Sequence, residues 1–117
     1  MDKRRLKKVE SLIRDELGSL IVSQAVNDPR IDPLVSITAV EVAPDLALAK
    51  VFVSYYGKRE KGDEITEALN HAAGFLQKEL VQRVKLRITP RLAFFYDESI
   101  ERGFRITETL KKIGPQS

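Results

Sequence analysis

The chain has 117 residues, 43% of them hydrophobic and 32% charged, a composition typical of one folded domain and not of a disordered chain. It contains no cysteine, which excludes disulfides and thiolate chemistry and fits a reducing compartment. The longest uncharged stretch, residues 17–27, is far shorter than the roughly 20 apolar residues of a membrane span. The net charge is only +3, but its distribution is uneven. We expect a cytoplasmic protein that does not enter a membrane.

The first predicted element is a helix over residues 4–26. Its apolar residues recur at steps of three and four, which is typical of one buried helix face: Leu6, Val9, Ile13, Leu17 and Leu20. Five basic side chains and one acid give residues 1–8 a net charge of +4. The helix dipole disfavours cations near a helix N-terminus, so these charges favour a role in binding over one in stability.

Two strands are predicted next. Prolines and aspartates in residues 27–33 indicate a loop. Residues 35–42 and 46–56 are rich in β-branched and aromatic side chains, and the turn between them makes a hairpin. In the second strand, alternation predicts an inward row and an outward row: Ala49, Val51, Val53 and Tyr55 inward, Lys50 and Ser54 outward.

A second helix is predicted over residues 64–83, after a polar loop at 57–63 and with Asp63 as its N-cap. Its apolar stripe is interrupted at "AAG", residues 72–74. Glycine inside a helix costs about 1 kcal/mol relative to alanine. The small residues therefore predict either close packing of another element or a kink, and the two are compatible.

The last predicted strand begins after Pro90, because proline cannot donate a ladder hydrogen bond. The rings of "FFY" at residues 94–96 could stack on nucleic-acid bases, but in the middle of a strand at least two of them are expected in the core. Residues 83–91 hold four basic side chains and no acid, a net charge of +4. A short terminal helix is predicted from Ser99 to near Gly114.

No catalytic constellation is present in the sequence. His71 is the single histidine, and helical geometry turns it away from the apolar stripe, so we expect an exposed residue beside the interruption. One histidine without cysteine makes no metal site, and no phosphate-binding glycine motif occurs. We predict a protein that is not an enzyme and needs no cofactor or metal.

The element order resembles the type II K-homology (KH) domain, which binds single-stranded RNA through a helix–turn–helix containing a GxxG loop. Here the second helix would be two helices joined by a kink at Ala72-Ala73-Gly74, where GxxG is missing. With this Ala-x-Gly, three further stretches resemble the ribosome-binding factor A family: "VSITAVEVAPDLALAKVFVS", "LNHAAGFLQKEL" and "LRITPRLAFFYDESIERGFRI".

The resemblance implies an α+β, type II KH-like fold (α-β-β-α-kink-α-β) with a three-stranded sheet packed on helices. It implies one domain over residues 1–117, with a core of about 4–97 and a C-terminal helix or tail at 98–117. It also implies a cytoplasmic assembly factor that binds the free 30S ribosomal subunit. Such a factor assists late maturation of 16S rRNA near its 5′-terminal helix, often in connection with growth in the cold. Small-subunit ribosomal proteins are further candidate partners, and a monomer is expected.

The RNA-binding residues are nominated from charge, apart from two residues of the kink carried over from the resemblance. They are Lys3, Arg4, Arg5, Lys7, Lys8, Ala72, Gly74, Lys78, Arg83, Lys85, Arg87 and Arg91. Clustered positive charge is typical of a polyanion binder, although basic runs also occur on ordinary solvated faces. Two alternatives stay open: a module that docks a ribosomal protein, and a small enzyme acting on a phosphorylated ligand.

Overall fold

The computed structural model describes residues 3–85 and 89–99. These residues form an α+β fold in the predicted order: α1 (Lys3–Val22), β1 (Ser36–Val42), β2 (Leu48–Ser54), α2 (Arg59–His71), α3 (Ala73–Arg83) and β3 (Arg91–Tyr96). Arg87 and residues 100–114 of the predicted terminal helix lie outside the described residues.

α1 is shorter than predicted, because the chain turns after Val22 instead of continuing to residue 26. Gln24 adopts a φ of 57°, in the left-handed region through which a helix does not continue. The N–H of Ala25 donates to the carbonyl of Leu20 at 3.1 Å and closes the turn. The predicted apolar stripe is confirmed: Val9, Ile13, Leu17 and Leu20 are buried, together with Ile21.

The sheet has the strand order β1-β2-β3. β1 and β2 form the predicted antiparallel hairpin, whereas β2 and β3 are parallel, so the chain needs a crossover, which α2 and α3 supply. β2 begins only at Leu48, because Leu46 has a φ of 62° and donates its N–H to Ala43 in the turn. The predicted inward row is confirmed: Ala49, Val51 and Val53 are buried, and Tyr55 packs half-buried against the core.

The prediction of a loop at residues 57–63 with Asp63 as N-cap is wrong, because α2 already begins at Arg59. Arg59 Nε donates to Asp63 Oδ1 at 2.9 Å, one helical turn away. Gly62 is buried inside the helix, where an added Cβ would lie 2.5 Å from Cε2 of Tyr96. Glycine therefore lets the ring of Tyr96 approach the helix backbone, and a larger residue would have to displace that ring.

β3 begins at Arg91, directly after Pro90 as predicted. Its backbone is bonded to α2 through Asn70, whose Nδ2 donates to the carbonyl of Phe94 at 2.9 Å and whose Oδ1 accepts the N–H of Phe94 at 2.8 Å. Phe94 is buried and Tyr96 half-buried, while Phe95 remains 44% exposed. The side-chain amide of Asn70 thus satisfies the N–H and carbonyl of Phe94, on a strand at the edge of the sheet.

The two faces of the sheet differ. The core lies between the helices and one face, to which Val40, Val51 and Phe94 contribute. The opposite face is called the open face, because each of its residues is exposed or half-buried and no element among the described residues covers it. Strand alternation and register assign to it Ser36, Ala39, Glu41, Leu48, Lys50, Phe52, Ser54, Arg91, Ala93 and Phe95.

Candidate nucleic-acid interface

α2 and α3 are separated by Ala72 alone, so the helix is interrupted within the predicted stretch. Ala72 has φ −89° and ψ 2°, which departs from α-helical values. Its N–H still donates to Ala68 at 3.0 Å, and its carbonyl accepts the N–H of Leu76 at 2.9 Å. Ala72 and Ala73 pack against the core, as expected if small residues permit close packing at this junction.

Gly74 does not share that role. It is exposed, its φ is not positive, and an added Cβ would find no heavy atom within 4 Å. The interpretation of Gly74 as a packing residue is therefore wrong for the described fold. The bare backbone at the start of α3 is instead open to approach from outside the chain.

The surface at the start of α3 can accommodate an anion. Helical hydrogen bonds continue from α2 through Ala72, so the features that favour an anion here are the exposed backbone at Gly74 and the side chains around it. α3 has no acidic side chain in its first turn. Exposed Lys78 follows Gly74 by four residues, so both lie on one helix face. These groups can together contact a phosphate backbone.

An arginine that the sequence analysis did not consider contacts the same junction. Arg30 Nη2 lies 3.2 Å from Nδ1 of His71, the last residue of α2. Because arginine can only donate, this contact is a hydrogen bond in the tautomer whose Nδ1 carries no proton. Asp28 holds the guanidinium through contacts of 3.2 and 3.0 Å. The sequence predicts only a loop at residues 27–33, and nothing in its pattern pairs Arg30 with a residue 41 positions away.

Asp28→Asn is expected to lower stability at neutral pH by a small amount, since its ion pair with Arg30 is only half-buried and solvent still screens it. Hydrogen bonds from Arg30 hold the pKa of Asp28 below its usual 3.8. A lowered folded-state pKa stabilises the fold above the unfolded-state pKa, and this contribution is lost as the pH falls through the folded-state value. Urea unfolding across that range should show the variant and the wild type converging in acid, and a constant gap would contradict this.

The first basic cluster lies on the opening turns of α1, and its five side chains are exposed: Lys3, Arg4, Arg5, Lys7 and Lys8. α1 has no acid in its first turn. The cluster begins a helix that packs against β1 and α3. Its charge is therefore presented to solvent, as predicted for contacts to phosphates.

The fold splits the second basic stretch, which the sequence treated as one cluster. Arg83 ends α3 and lies 3.6 Å from Oε2 of Glu16 in an exposed ion pair, and Lys85 follows it, also exposed. Arg91 lies on the open face of the sheet, opposite to the helices. Glu16 is eight residues beyond Lys8, about 12 Å along α1. The ion pair between Glu16 and Arg83 is therefore separated from the basic cluster at the start of α1.

Phe75 is a second surface feature that the sequence analysis missed. It is 44% exposed beside Gly74, and it falls outside the apolar stripe, which is the signal by which the sequence could have revealed it. His71 is exposed beside the junction, as predicted. Among the described residues, no group of acidic or histidine side chains could hold a metal ion, and no helix is long and apolar enough to span a membrane.

The family model described as Ribosome-binding factor A matches residues 5–110. The chain belongs to the ribosome-binding factor A family. Ribosome-binding factor A of Nitrosococcus oceani is 46% identical over 108 residues, covering 92% of this chain and 84% of the relative. That of Caldanaerobacter subterraneus subsp. tengcongensis is 43% identical over 104 residues, covering 89% and 84%. The resemblance identified from the sequence is thereby confirmed.

Solved structures of the family share this fold. The crystal structure of ribosome-binding factor A from Thermus thermophilus matches with a TM-score of 0.66 at 30% identity, over 78% of this chain and 94% of that one. A solution NMR structure from Thermotoga maritima matches with a TM-score of 0.71 at 31% identity, over 86% and 94%. A homology model of the Thermus protein, fitted into a cryo-EM map of a 30S–RbfA complex, matches with a TM-score of 0.56 at 28% identity, over 74% and 93%.

Proposed function

We propose that this chain is a ribosome assembly factor that binds the free 30S subunit and assists late maturation of 16S rRNA, near its 5′-terminal helix. The observation that carries the proposal is the open backbone at Gly74, at the start of a helix with no acid in its first turn. The 30S complex of the Thermus relative supports the same partner. This role places the chain in the cytoplasm and requires no catalysis.

The interface would position the protein on the rRNA and would not recognise a particular nucleotide sequence. Phosphates would approach the exposed backbone at Gly74, with Lys78 beside it and the basic cluster of α1 as a second contact region. Contacts to phosphates fix register and orientation but carry little sequence information. Specificity would come from the shape of the folded rRNA.

Sedimentation of the chain with 30S, 50S and 70S particles at increasing salt tests the proposal. We expect co-sedimentation with free 30S subunits that weakens steeply, with a log–log slope of about 0.7–0.9 for each phosphate contact. Association with 70S ribosomes but not with free 30S subunits would contradict the assembly role. Binding that is flat with salt would contradict the phosphate contacts.

A protein-docking role is the second candidate, favoured by two exposed apolar side chains of α3. Phe75 is 44% exposed and Val81 is 54% exposed, and aromatic side chains such as that of Phe75 are enriched in protein interfaces. Binding to protein-free 16S rRNA, compared with intact 30S subunits, separates the two candidates. The RNA role predicts that measurable binding remains without ribosomal proteins, and the docking role predicts that it is lost.

A further inference from the structure

The open face of the sheet carries an aromatic pair that the core does not use. Phe52 on β2 and Phe95 on β3 are directly paired across the strands, with ring centroids 5.8 Å apart and planes tilted by 32°. Phe95 is 44% exposed and Phe52 is half-buried. No element among residues 3–85 and 89–99 covers this face, so within that part of the chain the exposed side of the Phe95 ring is accessible.

The residues around the pair leave that side of the ring accessible. Ala39 is the β1 partner of Phe52, and Ala93 precedes Phe95 by two residues on the same face. Alanine side chains are too short to cover a neighbouring ring. A flat ligand can therefore reach the aromatic pair.

Positive charge continues from the pair along the strands. Lys50 lies one pleat from Phe52, about 7 Å away along the strand, and Arg91 lies two pleats from Phe95, about 13 Å away. Both are exposed, and within the part of the chain that the structure describes neither forms an ion pair. Two acids accompany these cations: Glu41 faces Lys50 from β1, and Asp97 follows Phe95 by two residues and accepts a hydrogen bond from Thr38 Oγ1 at 2.6 Å.

We propose that the open face binds single-stranded RNA, with unpaired bases stacked on Phe95 and Phe52 and phosphates held by Lys50 and Arg91. Sheets of other folds use exposed aromatic residues in this way, and stacking tolerates any base because every base has a π-face. The adjacent cations favour a nucleic acid over an apolar protein partner. The inference rests on the proposed function, since it adds a second contact to the same class of partner, on the side of the sheet away from α3.

Fluorescence anisotropy of the full chain with a short single-stranded oligouridylate tests this. Phe95→Leu keeps an apolar side chain but removes the π-face, and should weaken binding at least about fivefold. Phe95→Tyr should retain wild-type affinity. Tyr56→Leu is the matched control, because Tyr56 is a 99% exposed aromatic outside the open face, and it should have no effect. Lys50→Ala and Arg91→Ala should each reduce the salt slope by about 0.7.

Other occupants would give different results. Loss of binding in Phe95→Ala but not in Phe95→Leu would show apolar docking and overturn the stacking proposal. Three other results would also overturn it. One is a wild-type chain that binds duplex RNA with the same affinity as oligouridylate, and another is a wild-type chain that shows no binding to oligouridylate. The third result is a dimer in sedimentation velocity that Phe95→Leu dissociates. The proposed function has its own readout, 30S binding by variants of Gly74. Failure of the open face therefore remains distinguishable from failure of the α3 interface.

Discussion

Leu76→Ala is expected to lower the free energy of unfolding by about 2–5 kcal/mol, the range for truncating a fully buried leucine. Leu76 is completely buried in the first turns of α3, and its N–H donates to the carbonyl of Ala72. Its side chain therefore anchors α3 to the core immediately after the junction. Removing it leaves a cavity beneath the proposed RNA-binding surface.

Val81→Ala provides the matched control on the same helix. Val81 is 54% exposed, so its truncation should cost well under about 1 kcal/mol. Urea unfolding of both variants measures the difference. Equal losses would contradict the assignment of which side of α3 faces the core.

Gly74→Asp is expected to weaken 30S binding at least about tenfold while leaving the fold as stable as the wild type or more so. An added Cβ meets no heavy atom within 4 Å, and replacing glycine raises helix propensity. A carboxylate in the first turn also interacts favourably with the helix dipole. The same carboxylate would repel a phosphate at this position.

Gly74→Asn is the isosteric control, since it has nearly the same shape without the charge. It should bind 30S subunits more tightly than Gly74→Asp, and Gly74→Ala should be more stable than the wild type by about 0.5–1 kcal/mol. Thermal unfolding and 30S sedimentation measure the two effects separately. Equal affinities of the Gly74→Asp and Gly74→Asn variants for 30S subunits would show that no phosphate lies at this position.

The elements that local pattern determines could be predicted from the sequence. The apolar residues of α1 repeat with the period of a helix, and those of β2 alternate with the period of a strand, so each pattern identifies both the element and its buried face. The start of α2 could not be predicted in this way. Glycine has a low helix propensity, yet Gly62 lies inside the helix, in contact with the ring of Tyr96. There a tertiary contact overrides propensity, as it often does.

The candidate interface was predictable only in part. The interruption at Ala72 follows from small residues inside an apolar stripe. The contact of Arg30 with His71 could not be predicted, because it joins segments far apart in sequence. The separation of Arg91 from Arg83 follows from strand pairing, which turns Arg91 to the open face, and charge counted along the chain does not reveal this.

The central claim is that the exposed surface of α3 around Gly74 and Lys78 faces 16S rRNA. Directed hydroxyl-radical probing tests this claim most directly. The chain has no cysteine, so Gln82→Cys, two turns from Gly74 on its exposed face, can carry a tethered iron chelate without further changes. Tyr56→Cys, beyond the opposite end of α2, is the control. In complexes with free 30S subunits we expect strong cleavage of 16S rRNA from position 82 and weaker cleavage from position 56. Cleavage from position 56 with none from position 82, in a chain that still binds, would contradict the account.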